Sequence, residues 1–90
     1  MEILYNNLMK ERLEYYILKE KLFVFDTSST FIVYWEDNDW HEECNLNIDT
    51  LQVNNEISEK DALKITGGNS PLQYIEELIK QDMLKNIYCP

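Results

Sequence analysis

Leu22-Phe23-Val24-Phe25-Asp26-Thr27-Ser28-Ser29-Thr30-Phe31-Ile32-Val33-Tyr34-Trp35-Glu36-Asp37-Asn38-Asp39-Trp40 is the stretch that decides the fold. Two runs of β-branched and aromatic residues flank the short polar segment Thr27-Ser28-Ser29, the pattern of two strands joined by a hairpin connection. The sequence therefore predicts strands over Leu22–Asp26 and Thr30–Glu36. Asp37-Asn38-Asp39 follows, and short polar side chains that bond to their own backbone favour a second reversal there. A third strand is expected from Trp40 to Ile48. Along it Trp40, Cys44, Leu46 and Ile48 share one parity, while His41, Glu43, Asn45, Asn47 and Asp49 share the other. Glu42 breaks the pattern on the apolar side.

Working outward to the amino-terminal side, Leu4, Leu8, Met9, Leu13, Tyr16 and Ile17 recur at intervals of three and four residues among good helix formers. That spacing predicts an amphipathic helix over residues 2–19. The cluster Tyr15, Tyr16, Ile17 also suits a strand, so the first strand has room to begin several residues before Leu22. On the other side, Leu51, Val53 and Ile57 are the expected apolar anchors of a connection. Ser58-Glu59-Lys60-Asp61 then has the cap and acidic first turn of a helix that Gly67 or Gly68 ends. Ser70-Pro71-Leu72-Gln73 starts another helix, with a serine cap, proline at the first helical position and glutamine three residues after the cap. Leu72, Ile75, Leu78, Ile79 and Met83 give it an apolar stripe from Pro71 to Lys85. The expected fold class is thus α+β: an N-terminal helix, a three-stranded antiparallel β-meander and two C-terminal helices packed on the sheet.

Ninety residues, 44% of them hydrophobic, form one domain with one modest core. The whole chain, 1–90, reads as a single acidic α+β domain. Its start lacks the basic region and apolar run of a secretion signal, and no stretch reaches membrane-spanning length. The expected location is the cytoplasm of a bacterial cell, or of the host if the gene belongs to a phage. A reducing compartment would keep Cys44 and Cys89 as free thiols. Abundant Asn, Ile, Lys and Tyr beside a single arginine, Arg12, fit AT-rich coding of a low-GC bacterium or its phage.

The formal charge of −9 is concentrated in the middle of the chain. In residues 1–21, Glu2, Glu11, Glu14 and Glu20 cancel Lys10, Arg12, Lys19 and Lys21. In residues 60–90, Asp61, Glu76, Glu77 and Asp82 cancel Lys60, Lys64, Lys80 and Lys85. Between them, residues 22–59 contain no lysine or arginine and hold Asp26, Glu36, Asp37, Asp39, Glu42, Glu43, Asp49, Glu56 and Glu59. A field so lopsided in sequence favours a basic partner and disfavours nucleic acid itself, whose binding draws on cations that neutralise phosphates. The two C-terminal helices around a glycine turn invite comparison with a DNA-reading helix-turn-helix, but the second of them lacks a basic footprint.

Catalytic and metal motifs are weak. A strand points His41 and Cys44 to opposite faces, which spoils them as joint zinc ligands. Asp37, Asp39 and Glu42 lack the glycine and the final glutamate of a calcium loop. Glu36 with Asp37, and Glu42 with Glu43, are adjacent residues whose carboxylates diverge along a strand, a poor start for paired acid and base. No enzyme activity, cofactor, metal or membrane contact is expected.

What distinguishes the acidic segment from an ordinary solvated face is its aromatic company, because both tryptophans, Trp35 and Trp40, bracket the turn and Tyr34 lies beside them. Aromatic centres with polar rims are typical of binding surfaces. The expected partner-binding residues are Tyr34, Glu36, Asp37, Asp39, Trp40, Glu42, Glu43 and Asp49. Carboxylates arrayed like phosphates suit a basic, nucleic-acid-binding protein as partner, and the expected function is inhibition of that protein by charge mimicry of DNA or RNA. Phage-encoded anti-restriction and anti-CRISPR proteins are a general precedent for small acidic chains acting this way, although no motif here assigns the chain to them. The alternatives are an immunity protein or antitoxin against a basic toxin, and a small regulatory adaptor or homodimerising module.

Overall fold

A computed structural model describes residues 12–53 and 55–85. Among them the chain forms strands β1 (Leu13–Leu18), β2 (Lys21–Asp26), β3 (Ile32–Glu36) and β4 (Asp39–Glu43), then a short helix α1 (Ile48–Gln52). Strand β5 (Asn55–Ile57) and helices α2 (Glu59–Thr66) and α3 (Leu72–Lys85) follow. The sheet is antiparallel throughout, in the order β4-β3-β2-β1-β5. The α+β class holds, with five strands where three were expected.

The expected helix over 2–19 is overturned at Leu13–Leu18, which is strand β1; its earlier part, residues 2–11, lies outside the described residues. The physical reason is double-sided burial. Tyr15 packs into a cluster with Leu22, Val24, Val33, Trp40, Ala62 and Ile75, while the adjacent Tyr16 packs on the opposite face with Phe23, Ile32 and Leu51. A strand buried on both faces shows a continuous apolar run instead of alternation, and such a run also satisfies helical spacing. The reversal after β1 was equally inconspicuous. Lys19 and Glu20 adopt φ of 53° and 65°, the left-handed pair of a two-residue hairpin, without the glycine or asparagine that usually marks one.

Between β2 and β3 the chain turns at the expected place, but β3 begins at Ile32, two residues later than predicted. The β3–β4 reversal falls where the sequence suggested but takes only two residues, Asp37 and Asn38 at φ of 55° and 59°, so that Asp39 belongs to β4 opposite Glu36. Strand β4 stops at Glu43 instead of reaching Ile48. There Asn47 caps α1, its side chain accepting from the Asp49 N–H at 2.9 Å, which diverts the chain from the ladder. Leu51 is fully buried and Ile57 half-buried, whereas Val53 is 83% exposed and anchors nothing among the described residues.

The C-terminal part follows the sequence closely. Ser58 caps α2 by accepting from the Asp61 N–H at 3.1 Å, and Gly67 ends it at φ 67°. Ser70 then accepts from the Leu72 N–H at 3.2 Å at the start of α3. Ile75 is fully buried against the sheet, Leu78 and Ile79 pack beside it, and Leu72 faces outward. Helices α2 and α3 thus cover one face of the sheet and α1 the other. Cys44 is disulfide-bonded, which corrects the expectation of a free thiol at that position; Cys89 lies outside the described residues.

Asp26 is the one fully buried carboxylate among the described residues. Arg12 grips it in a fork, Nε to Oδ1 at 2.9 Å and Nη2 to Oδ2 at 3.1 Å, while the Ser28 N–H donates at 3.0 Å and the Ser29 hydroxyl at 2.6 Å. Burial pushes the carboxyl upward, but the bonds from Arg12, Ser29 and Ser28 outweigh it and hold the group below its ordinary range. A carboxyl depressed by folding contributes stability that is present above its unfolded value, about 3.9, and lost as pH falls through the folded one. Asp26→Ala should cost about 1–3 kcal/mol in urea denaturation at neutral pH by stranding the Ser28 N–H and Ser29 hydroxyl donors and releasing Arg12. The stability gap between wild type and Asp26→Asn should shrink as the pH is lowered below about 4.

Candidate functional site

The β3–β4 hairpin divides the predicted site residues between the two faces of the sheet. On the α1 side lies a compact, largely neutralised group. Tyr34 stacks on His41 with ring centroids 5.2 Å apart, and the Lys21 ammonium sits 4.7 Å from the Tyr34 centroid. Lys21 also pairs with Glu36, which raises the lysine and lowers the carboxylate from their ordinary values. His41 Nε2 lies 3.0 Å from the Glu36 carbonyl oxygen. Lys21 stands one residue before the cation-free segment, and strand pairing brings it onto that segment's acid. Glu43 shares this face, where its carboxylate accepts from the Asn45 N–H at 3.1 Å.

The α3 side differs. Trp40 points into the core at 6% exposure, so it is a structural residue in this fold and not the exposed anchor expected of it. It meets Trp35 edge-on at a centroid distance of 5.1 Å, and its buried Nε1 has no acceptor among the described residues. Trp35 stays half-exposed. Asp39 opens β4, its Oδ1 accepting from the Trp40 N–H at 2.8 Å. Glu42, half-buried beside α3, is raised above the ordinary carboxylate range, first by burial and then by the negative charge of Asp82. Tyr74 of α3 is raised as well, by burial and by the charges of Glu42 and Asp39.

These couplings define an acidic seam where β4 meets α3: Glu42 of the strand feels the charge of Asp82 of the helix, and Asp39 and Glu77 line one pocket at its hairpin end. None of the four is in an ion pair among the described residues. At its hairpin end the seam opens into a pocket of about 220 Å³ lined by Trp35, Asn38, Asp39, Trp40, Asn69, Ser70, Gln73, Tyr74 and Glu77. Asp37 is exposed at the hairpin tip, and Asp49 is exposed on α1.

The eight predicted residues therefore do not form one face. Glu42 lies on the seam, Asp39 lines the pocket at the hairpin end opposite Glu36 in register, Tyr34, Glu36 and Glu43 lie on the α1 side, Trp40 inside, Asp37 at the hairpin tip and Asp49 on α1. Sequence reading missed Tyr74, Glu77 and Asp82, because Glu77 and Asp82 were cancelled by count against Lys80 and Lys85. The i,i+4 spacing of Gln73 and Glu77, with Tyr74 three residues before Glu77, was the available signal for the pocket side of that helix, whereas Asp82 lies about 140° around the helix from Glu77.

Among the described residues, no cluster of three His, Cys, Asp or Glu side chains is arranged to hold a metal ion. No described helix is long and apolar enough to cross a membrane. No protein-family model matches the chain, and neither a curated protein nor a solved structure matches it significantly.

Two outcomes follow from the seam. Replacing Asp82 by Asn should lower the pH at which Glu42 titrates, read from its carboxyl carbon by NMR, and should raise stability at neutral pH, because the repulsion is present only while both groups are ionised. Trp40→Ala should cost about 3–5 kcal/mol in urea denaturation, the magnitude of an aromatic lost from a core.

Proposed function

We propose that the protein is a small acidic inhibitor that binds a basic, nucleic-acid-binding protein and occupies the surface which that protein uses for DNA or RNA. The observation that carries this reading is the seam of Asp39, Glu42, Glu77 and Asp82, four carboxylates from two elements without a pairing cation among the described residues. Glu42 is raised first by burial and then by the charge of Asp82, and a basic partner would relieve the second of these. Asp37 at the hairpin tip extends the same charge outward. Such a protein would act by competition and need no chemistry of its own.

Relative to the sequence-based expectation, the binding set shifts. Glu36 is answered by Lys21, and Trp40 is core, so the electrostatic contacts proposed are Asp37, Asp39, Glu42, Glu77 and Asp82. Phage anti-defence proteins of the anti-CRISPR type are the setting in which this mode of action fits, in bacterial cytoplasm. The Cys44 disulfide weighs towards an oxidising compartment. The electrophoretic mobility of freshly trapped, thiol-blocked protein from cells, with and without reductant, decides between the two.

The test of function compares wild type with a variant carrying Asp39→Asn, Glu42→Gln, Glu77→Gln and Asp82→Asn. Both are immobilised and exposed to extract of a low-GC bacterium. Wild type should retain a basic nucleic-acid-binding protein, release it at high salt and lose it to added duplex DNA or RNA, while the variant retains at least about tenfold less. Retention of the same protein by both, independent of salt, would refute charge mimicry.

A further inference from the structure

The pocket at the hairpin end of the seam has a composition of its own. Its lining combines aromatic surface from Trp35, Trp40 and Tyr74, carboxylates from Asp39 and Glu77, and side-chain amides from Asn38, Asn69 and Gln73, with no lysine, arginine or histidine. The Gln73 and Glu77 side chains accept no hydrogen bond among the described residues. At about 220 Å³ the pocket is smaller than those that enclose drug-sized ligands or cofactors, about 300 Å³ and upward, and suits a single side chain.

Two opposing fields act on an occupant. The amino end of α3 opens on the pocket and presents the equivalent of about half a positive charge, which would favour an anion. Asp39 and Glu77 set two full negative charges against it, and Glu42, which acts on Tyr74 from the adjoining seam, adds to them. The Ser70 hydroxyl already accepts from the Leu72 N–H, so one donor of that helix end is spent. The balance favours a cation.

We propose that this pocket receives the guanidinium group of an arginine on the partner protein, which rests on the reading of the acidic seam as a partner-binding surface and specifies its anchor. The group lies against the half-exposed Trp35 ring and donates to the Asp39 and Glu77 carboxylates and to the Gln73 amide oxygen. A planar guanidinium suits this lining, because it stacks on an aromatic face and carries five N–H donors in a fixed fork for acceptors around its edge. An ammonium group is a strongly hydrated point charge and matches only the carboxylates. Trp40 takes no part in the binding itself: its ring supports Trp35 edge-on and holds the wall in place.

The experiment is an NMR titration of the intact protein with N-acetyl-arginine N-methylamide, following the two tryptophan indole N–H signals and the side-chain amides of Asn69 and Gln73. The neutral isostere N-acetyl-citrulline N-methylamide and the corresponding lysine amide serve as comparison probes. Saturable shifts with the arginine compound are expected, with Kd on the order of millimolar for one isolated side chain. The citrulline compound should give none, and the lysine compound should bind several-fold more weakly. Asp39→Asn with Glu77→Gln should weaken the arginine compound at least tenfold while the backbone spectrum remains that of the folded protein. Trp35→Leu should weaken arginine more than lysine. Absence of saturation, equal binding of citrulline, or equal binding of lysine would each overturn the proposal. The seam reading fails separately, by the capture experiment above: salt-labile capture without arginine binding removes the anchor and leaves the seam, and arginine binding without capture does the reverse.

Discussion

A single buried carboxylate, Asp26, governs how the sheet is assembled. It sits at the end of β2 with no exposure and collects donors from Arg12 ahead of β1 and from Ser28 and Ser29 in the following turn. A charge in that position is tolerable only when every partner is in place. Its bonds therefore tie the entry to β1, the end of β2 and the β2–β3 connection to one geometry. The backbone reinforces the tie, since Thr27 N–H donates to the Arg12 carbonyl oxygen at 2.8 Å. Once β3 is placed against β2 with Val24 opposite Val33, the two-residue turn at Asp37-Asn38 leaves β4 a single register. The seam and its pocket inherit their positions from that chain of constraints.

The described architecture was partly readable from residue types alone. Local chemistry with one strong interpretation came through: the Ser58 cap, the Ser70 hydroxyl at the start of α3, the left-handed Gly67 and the reversal that begins at Asp37-Asn38. What failed depended on partners distant in sequence. Leu13–Leu18 looked helical because its apolar residues serve two cores at once, and β5 is three residues long and held by pairing with β1. The first leaves the trace of a helix and the second none. The truncation of β4 at Glu43 depends on Asn47 acting as a cap, a role that an asparagine in a polar loop does not advertise.

The candidate site was legible to a lesser degree, for a related reason. Counting charge along the chain placed the excess in residues 22–59, but folding redistributes it. Lys21 crosses to Glu36, which removes one acid from the set, and α3 carries Glu77 and Asp82 to the strand's other side, which adds two. Trp40 shows the same limit for aromatic residues, since a tryptophan beside an acidic turn has the same sequence signature whether it faces a partner or the core. Its burial follows from its pairing opposite Trp35 on the helix-covered face.

The division of the hairpin into a neutralised face and an uncompensated one has a consequence for how the molecule meets another. On the α1 side, Lys21 and Glu36 cancel at short range; on the α3 side, the four carboxylates do not. Even with Glu43 and Asp49 on the α1 side, an uneven spread of charge on a body this small would let a distant basic surface exert a torque before any contact forms. The protein would be turned during approach so that β4 and the start of α3 lead. Orientation, commonly the slowest requirement of a protein encounter, is then largely met in advance, and the advantage fades as dissolved ions shorten the reach of the field.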